Sequence, residues 1–529
     1  LQAVRAPAFD RLAASQQRES VDIPAPRGRI FDRTGVPLAL GEPAITVYAN
    51  PKQIREPQAV ALAAGRALDL DPARLLPLLS DRDRGFVYLA RKADADKAEA
   101  LRRKNIVGLG FYPEERRTYP HGPVAAEVVG YAGLDNRGLA GIELAFDRPL
   151  AGSRGSRTIL HDPLGRTVDV VEATEARDGA DVHLTIDSTL QRHVERVLAA
   201  TRARWSARAA SAIVLDPRSG EVLAMGVEPG FDANRFPTVD RDVQRNRAVT
   251  DTYEPGSTFK VVTLSAVLES GRVKPSTSYT LPPSIQVADR VIHDAVARGT
   301  ERMTVAEILS RSSNVGVVTL ALELGPEELN RWIHRFGFGR RTGIEYPGEM
   351  NGIVVPPDEW SGSSIGNIPI GQGIAVTPLQ IVSAYAAVAN GGVMVEPHLV
   401  KRVEGEPREE LSRRRLISER TAKQLAAMLR DVVGEGSGAE AALPEHAVAG
   451  KTGTAAKPDP VSGGYSTSRY VASFVGFAPA ADPRLTILVT VDEPKGTIWG
   501  GAVAAPAFAE LARFALQYLN VPPGTADAG

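Results

Sequence analysis

Apolar positions change their period several times along this chain, and the changes divide it. Residues 1 to about 20 carry alanine and charge at helical spacing, until Ile23-Pro24-Ala25-Pro26 stops the helix. From Arg27 the period shortens. Residues 27–39 read as two short strand pieces about an Asp32-Arg33-Thr34-Gly35 turn, and 44–49 as a further strand. Helical spacing returns over 57–68, 72–76 and 93–104. Arg116-Arg117-Thr118-Tyr119-Pro120 is extended, and Gly138-Leu139-Ala140-Gly141-Ile142-Glu143 leads into a helix ending near 150–152. The polar turn Arg177-Asp178-Gly179-Ala180 precedes a strand at 182–186 and sets a domain boundary.

Beyond that turn, 190–203 is an amphipathic helix, and 211–215 with 222–225 forms a hairpin across Asp216-Pro217-Arg218-Ser219-Gly220. A long, mostly helical middle follows, then strands at 470–477 and 485–491 and a closing helix at 506–519. Strands at both ends of a helical insertion predict an α+β domain over 181–521, an antiparallel sheet covered by helices. A smaller mixed α/β domain over 1–180 precedes it, and 522–529 reads as a disordered tail.

Composition narrows the classes. With 529 residues the chain needs more than one core, and 43% hydrophobic with 24% charged residues is the balance of a protein that folds in water. The 62 basic and 63 acidic residues leave a net charge of -1, so no basic field exists to hold nucleic acid. Zero cysteines remove disulfides and thiolate chemistry, and the eight histidines show no short ligand spacing, so neither a metal nor a cofactor is expected. No apolar run approaches the roughly 20 residues that span a bilayer. Because the first residue is Leu1 rather than methionine, the chain reads as trimmed of a possible anchor or signal segment.

Three stretches could carry chemistry. In Glu254-Pro255-Gly256-Ser257-Thr258-Phe259-Lys260, Ser257 stands at a helix start with Lys260 one turn on, and the valines and leucines up to Gly271 argue that the helix is buried. Burial favours a neutral amine, which beside a hydroxyl is a base for serine, and the first helical N–H groups face any oxyanion formed there. A capping serine with a snorkelling lysine fits the same residues. Arg311-Ser312-Ser313-Asn314-Val315-Gly316 follows a helix at 305–309; Ser312 and Asn314 can point into one cleft, or cap a helix. Ala449-Gly450-Lys451-Thr452-Gly453-Thr454 puts a cation and two hydroxyls on one strand, where Gly453 lets a ligand approach closely and Lys451, Thr452 and Thr454 suit a carboxylate, although lysine and threonine are also common on strand edges. A phosphate-binding loop is excluded, because Glu445 stands where its first glycine is required.

Taken in order, Ser257-x-x-Lys260, Ser312-x-Asn314 and Lys451-Thr452-Gly453 resemble the S-x-x-K, S-x-N and K-T-G set of the penicillin-recognising serine enzymes. Arg27-Gly28-Arg29-Ile30-Phe31-Asp32-Arg33, Arg117-Thr118-Tyr119-Pro120 and Gly138-Leu139-Ala140-Gly141-Ile142-Glu143 look like the N-terminal pedestal of class B penicillin-binding proteins. Almost the whole chain is covered. Ser312-Ser313-Asn314-Val315-Gly316 and Gly371-Gln372-Gly373 are most similar to the cell-division branch.

That resemblance implies a peptidoglycan D,D-transpeptidase of septal wall synthesis, with stem peptides as substrates and β-lactams as inhibitors. It implies Ser257 as nucleophile, Lys260 as base, Ser312 as proton relay and Asn314 as holder of the substrate amide. Lys451 would tune Ser312 and the carboxylate site, Thr452, Gly453 and Thr454 would bind the terminal carboxylate, and the N–H groups of Ser257 and Thr454 would form the oxyanion hole. It further implies an extracytoplasmic domain on a bacterial membrane, a single N-terminal anchor outside this chain and a membrane-embedded glycan polymerase as partner. A β-lactamase is the first competing reading, through Pro326-Glu327-Glu328-Leu329-Asn330. There the water-activating glutamate would fall on Pro326, so 326–336 reads as structural. A non-catalytic β-lactam sensor is the second.

Overall fold

The computed structural model describes residues 18–23, 25–161, 167–407, 410–459 and 464–523. Its N-terminal part is built on Pro37–Ala49, which pairs antiparallel with Val87–Asp94 on one side and with Leu109–Thr118 on the other. The helices Pro57–Leu68 and Pro72–Ser80 each have proline at the start, where its missing N–H is harmless. Ala95–Arg102 is capped by the Asp94 carboxylate, which accepts from the N–H groups of Asp96 and Lys97. That cap explains why the strand before it runs to Asp94 and the helix begins later than the periodicity predicts.

Three other expectations change. The helical spacing before Pro24 does not survive where the chain is described: Arg18–Ile23 is a strand, because it pairs with Gly155–His161. Residues 1–17 lie outside the described residues, as do 524–529 of the predicted tail. The single helix expected before 152 is two, Gly141–Ala145 and Asp147–Ala151, since the Pro149 ring cannot follow an uninterrupted turn. Of the glycine- and serine-rich loop at 462–468, the described part belongs to a strand.

Three polar stretches of this lobe converge in its core. The Glu143 carboxylate accepts from Arg27 Nε at 2.8 Å and Arg117 Nε at 2.6 Å, with all three side chains at most 3% exposed. Tyr119 OH donates to Glu143 at 3.3 Å and accepts from the Ala132 N–H at 2.7 Å. One buried carboxylate therefore holds three segments far apart in sequence.

The larger domain contains a five-stranded antiparallel sheet of β1 (Ala209–Leu215), β2 (Val222–Glu228), β3 (Ala449–Asp459), β4 (Gly464–Ala478) and β5 (Leu485–Asp492), in the order β2-β1-β5-β4-β3. Alternate residues serve opposite faces. Ala212, Val214, Ile487 and Val489 pack with the helices α1 (Ser188–Arg204) and α4 (Ala505–Tyr518), while Ile213, Leu215 and Leu488 join the core around α2 (Lys260–Glu269) and α3 (Asn314–Leu324). In α2 every residue from Lys260 to Leu268 is buried, the environment its uninterrupted apolar run predicts.

The two parts share a sheet. Val182–Leu184 pairs in parallel with Ile30–Phe31 and antiparallel with Val400–Val403, so a strand from late in the larger domain completes the six-stranded sheet of the smaller one. Asp32 adds a second tie: its carboxylate accepts from Thr34 and Val36 within its own turn and from the Ser188 hydroxyl at 2.7 Å at the start of α1.

Candidate active site

Ser257 lies in the single 3-10 turn Gly256–Phe259 that leads into α2, and it alone is half-buried between Pro255 and Lys260. The turn is held from several sides. Gly256, at φ 56°, donates its N–H to Gly371 O at 3.0 Å, and Gly371 has φ 80°. A Cβ on Gly371 would lie 2.1 Å from Gly256 O, so this crossing of two chains needs glycine both for conformation and for space. Thr258 Oγ1 donates to Pro255 O at 2.8 Å, and the buried Tyr385 OH donates to Thr258 O at 2.9 Å.

Lys260 is fully buried and its amine donates to Ser312 O at 2.7 Å, Ser312 Oγ at 3.2 Å and Asn314 Oδ1 at 2.7 Å. The sequence places this lysine directly against Ser257; in the structure its hydrogen bonds go to the 312–314 turn, and Ser312 Oγ donates onward to Ser257 Oγ at 3.1 Å. Helical spacing fixes the side of the helix, but not which partner wins a flexible amine. Burial pushes the Lys260 amine well below its ordinary range, the Lys451 charge pushes it further, and Asp294 opposes both.

The 312–314 turn combines both readings of its sequence. Ser313 is the cap, with Oγ accepting from the Gly316 N–H at 3.0 Å, while Ser312 is held in the left-handed region at φ 57° with its hydroxyl toward Ser257. Asn314 donates from Nδ2 to His293 O at 2.9 Å, which fixes its amide so that Oδ1 faces Lys260.

Sequence reasoning missed Asp294. Its carboxylate accepts from the Ser313 hydroxyl at 3.0 Å, the Val315 N–H at 2.9 Å and Arg298 Nε at 2.6 Å, so it anchors the turn that carries Ser312 and Asn314. Burial alone would raise the Asp294 carboxyl; the Val315 N–H, Arg298 and the Ser313 hydroxyl outweigh it and hold it below the usual range. An Asp and an Arg four residues apart look like any surface pair, and nothing in the spacing betrays that the pair is buried.

The third stretch forms the start of the edge strand β3. Lys451 is fully buried, its amine 3.2 Å from Thr452 Oγ1, and burial lowers it to about 7. A Cβ on Gly453 would lie 2.3 Å from Ser473 Oγ and 3.0 Å from Pro255 O. Ser473 of the neighbouring strand β4 presses closest on this glycine and the turn around Ser257 comes next, so the missing side chain lets strand and turn sit in contact. Thr452 Oγ1 is hydrogen-bonded to Ser437 Oγ at 2.8 Å, and Thr454 Oγ1 accepts from the Gly500 N–H at 3.1 Å. Both threonines line an open cavity of about 500 Å³ that runs to Arg204, Trp205, Glu440 and Trp499.

The stretch that suggests a β-lactamase is a helix, Pro326–Arg335, in which Glu328 accepts from its own Trp332 Nε1 at 2.9 Å. Among the described residues no group of histidines and carboxylates could hold a metal ion, and no helix is long and apolar enough to cross a membrane.

Three motifs far apart in sequence thus meet around one half-buried serine. The profile of the penicillin-binding protein transpeptidase domain matches residues 210–513, and that of the penicillin-binding protein dimerisation domain matches 22–184. The chain belongs to the class B penicillin-binding proteins. This penicillin-binding protein is 36% identical to PbpB of Mycolicibacterium smegmatis, over 99% of its own length and 87% of the relative's. It is 35% identical to stage V sporulation protein D of Bacillus subtilis over 94% and 79%, and 32% identical to the peptidoglycan D,D-transpeptidase FtsI of Escherichia coli over 95% and 85%. Among solved structures it is similar to penicillin-binding protein 3 of Mycobacterium tuberculosis complexed with aztreonam, with TM-score 0.74 and 32% identity over 95% of this chain and 98% of that one.

Proposed function

We propose that this penicillin-binding protein is the peptidoglycan D,D-transpeptidase of septal wall synthesis and that Ser257 carries the acyl group. The single observation behind the serine is the hydrogen-bonded line from the Lys260 amine through Ser312 Oγ to Ser257 Oγ. In the proposed reaction Ser257 attacks the penultimate carbonyl of a D-Ala-D-Ala stem peptide while the N–H groups of Ser257 and Thr454 receive the oxyanion. The hydroxyl proton passes to Lys260, whose amine burial pushes toward the neutral form, and reaches the departing D-Ala amine by way of Ser312. Asn314 orients the substrate amide, and Thr452 and Thr454 bind the terminal carboxylate, with Lys451 behind them and Gly453 keeping the strand close to the serine. An amine from a second stem peptide then takes the acyl group.

Benzylpenicillin would acylate the same serine. Intact-mass measurement should show one penicilloyl adduct on the wild-type chain and none on Ser257→Ala; an adduct that persists on the variant would remove Ser257 as nucleophile. Rapid catalytic turnover of penicillin would instead favour the β-lactamase reading. An adduct without any transfer of a D-Ala-D-Ala substrate would favour the sensor.

The reading extends to the cell. The catalytic domain works outside the cytoplasm of a bacterium, tethered by an N-terminal anchor. The lobe before the boundary at 180 docks a membrane-embedded glycan polymerase of the division machinery, since it offers exposed loops and no constellation of nucleophile and base. Pull-down of that polymerase with and without residues 20–180 tests it: capture by the truncated chain would place the contact elsewhere.

A further inference from the structure

The proposed transpeptidation has a symmetry that the cavity beside Thr452 and Thr454 makes structural. The step that removes D-alanine breaks a C–N bond whose nitrogen sits on a carbon bearing a carboxylate. The step that completes the cross-link makes a C–N bond at the same carbonyl. By microscopic reversibility the incoming nitrogen approaches along the path by which the first one left. The substituents on the incoming amine carbon must therefore lie where the leaving carboxylate lay, against Thr452 and Thr454. An acceptor peptide attached to that carbon needs an exit from this point, and D-alanine, with only a methyl group, needs none.

The exit is present. The two threonines open into the cavity of about 500 Å³, far larger than a methyl group requires. Trp499 stands at its edge with 52% of its surface exposed. Across it the Arg204 guanidinium lies 5.1 Å from the Trp205 ring centre, at the C-terminal end of α1, and Glu440 lies on the same wall. Neither Arg204 nor Glu440 takes part in an ion pair among the described residues, so both charges are available to a ligand. An exposed aromatic ring with one free cation and one free anion suits a peptide chain that carries both charges.

We propose that this cavity is the acceptor subsite. It binds the second stem peptide through a chain that ends in an amine with a carboxylate on the same carbon, and Arg204, Glu440 and Trp499 hold that chain. The inference rests on the transpeptidase reading above. In the step itself the amine lone pair attacks the Ser257 ester carbonyl, the new C–N bond forms and the C–Oγ bond breaks. The amine proton returns to Ser257 Oγ through Ser312 and Lys260, so no further reactant is needed.

The test compares transfer with hydrolysis on the full chain. A D-Ala-D-Ala peptide serves as donor. The acceptors are D-alanine, a synthetic peptide whose side chain ends in an amine and a carboxylate on one carbon, and the same peptide with that carboxylate amidated. For Arg204→Ala, Glu440→Ala and Trp499→Ala the ratio of transfer to hydrolysis with the long acceptor should fall roughly fivefold or more, while D-alanine transfer and benzylpenicillin acylation stay within about twofold. The amidated acceptor should be the poorer one on the wild type. Equal loss for D-alanine and the long peptide would mean that the threonine site was disturbed, and unchanged ratios would mean that the acceptor lies elsewhere; either overturns the subsite. A wild type that acylates but transfers to none of the three amines would overturn the transpeptidase reading itself, and the subsite with it.

Discussion

Lys260 and Lys451 share the dry space behind Ser257, and their charges repel each other. Burial pushes both toward the neutral form, which makes this corner of the fold unfavourable for stability. Lys451 is lowered by burial to about 7 from an ordinary 10.5. Between those values the unfolded chain binds the proton that the folded chain refuses, so stability rises with pH across that window, and the full penalty is present below about 7. Lys451→Met should therefore stabilise the protein at pH 7 by on the order of 1–3 kcal/mol and flatten the rise toward pH 10, while penicillin acylation falls at least tenfold. Denaturant unfolding at several pH values, with intact-mass labelling alongside, checks both halves. A variant no more stable than the wild type at pH 7 would show that Lys451 stays charged and paired in the fold.

At the scale of elements, the turn before α2 depends on a loop more than a hundred residues later. Gly371 crosses Gly256 so closely that a methyl group has no room, whereas a Cβ on Gly373 would first meet Ile368 Cγ1 at 3.8 Å. Both have positive φ, so both alanine variants carry backbone strain of about 1 kcal/mol. Only Gly371→Ala should also displace Ser257, slowing acylation by roughly a hundredfold, against less than about threefold for Gly373→Ala. Acylation rates from mass spectrometry separate the two; equal slowing would leave strain as the only cause.

These elements also mark what could be read in advance. The hairpin of β1 and β2, the strands β4 and β5 and the helices α1, α2 and α4 follow from period and turn residues, because their apolar faces are local information. The serine, lysine and asparagine of the motifs are legible for the same reason: their spacing is short. Asp294 is not, since its partners Ser313 and Val315 are brought to it by packing of the hairpin Ser284–Val287 with Arg290–His293 against α3. Nor is Val400–Val403, whose partner strand lies over two hundred residues earlier. Pairings at such distance leave no trace in a window of a dozen residues.

For the whole molecule, the buried charges around Glu143 separate the stability of the N-terminal lobe from the chemistry of the other. Two guanidiniums share one carboxylate with almost no water. Glu143→Gln removes the carboxylate charge that pairs with both, and breaking such a buried set is expected to destabilise the lobe by about 3–5 kcal/mol. Ser257 labelling below the unfolding midpoint should stay within twofold. Limited proteolysis of the lobe, followed beside penicillin labelling, tests whether the losses are separate; parallel loss would show that the active site depends on this lobe.

The sheet completed by Val400–Val403 has a consequence for how such a chain can vary. Its register pairs Val400 with Leu184, Arg402 with His183 and Val403 with Val182, so two short stretches of the gene, hundreds of bases apart, must descend together. A recombination event that replaces everything before the turn at 177–180 keeps these two strands together but sets Ile30–Phe31 against a Val182–Leu184 with which it was never selected, and a crossover anywhere between 184 and 400 that replaces the rest of the gene parts the two strands themselves. Mosaic genes that exchange only the interior between them keep both partners from one parent. The boundary at which this protein tolerates shuffling is thus drawn by a hydrogen-bonded ladder, and it does not coincide with the point where one domain gives way to the next along the chain.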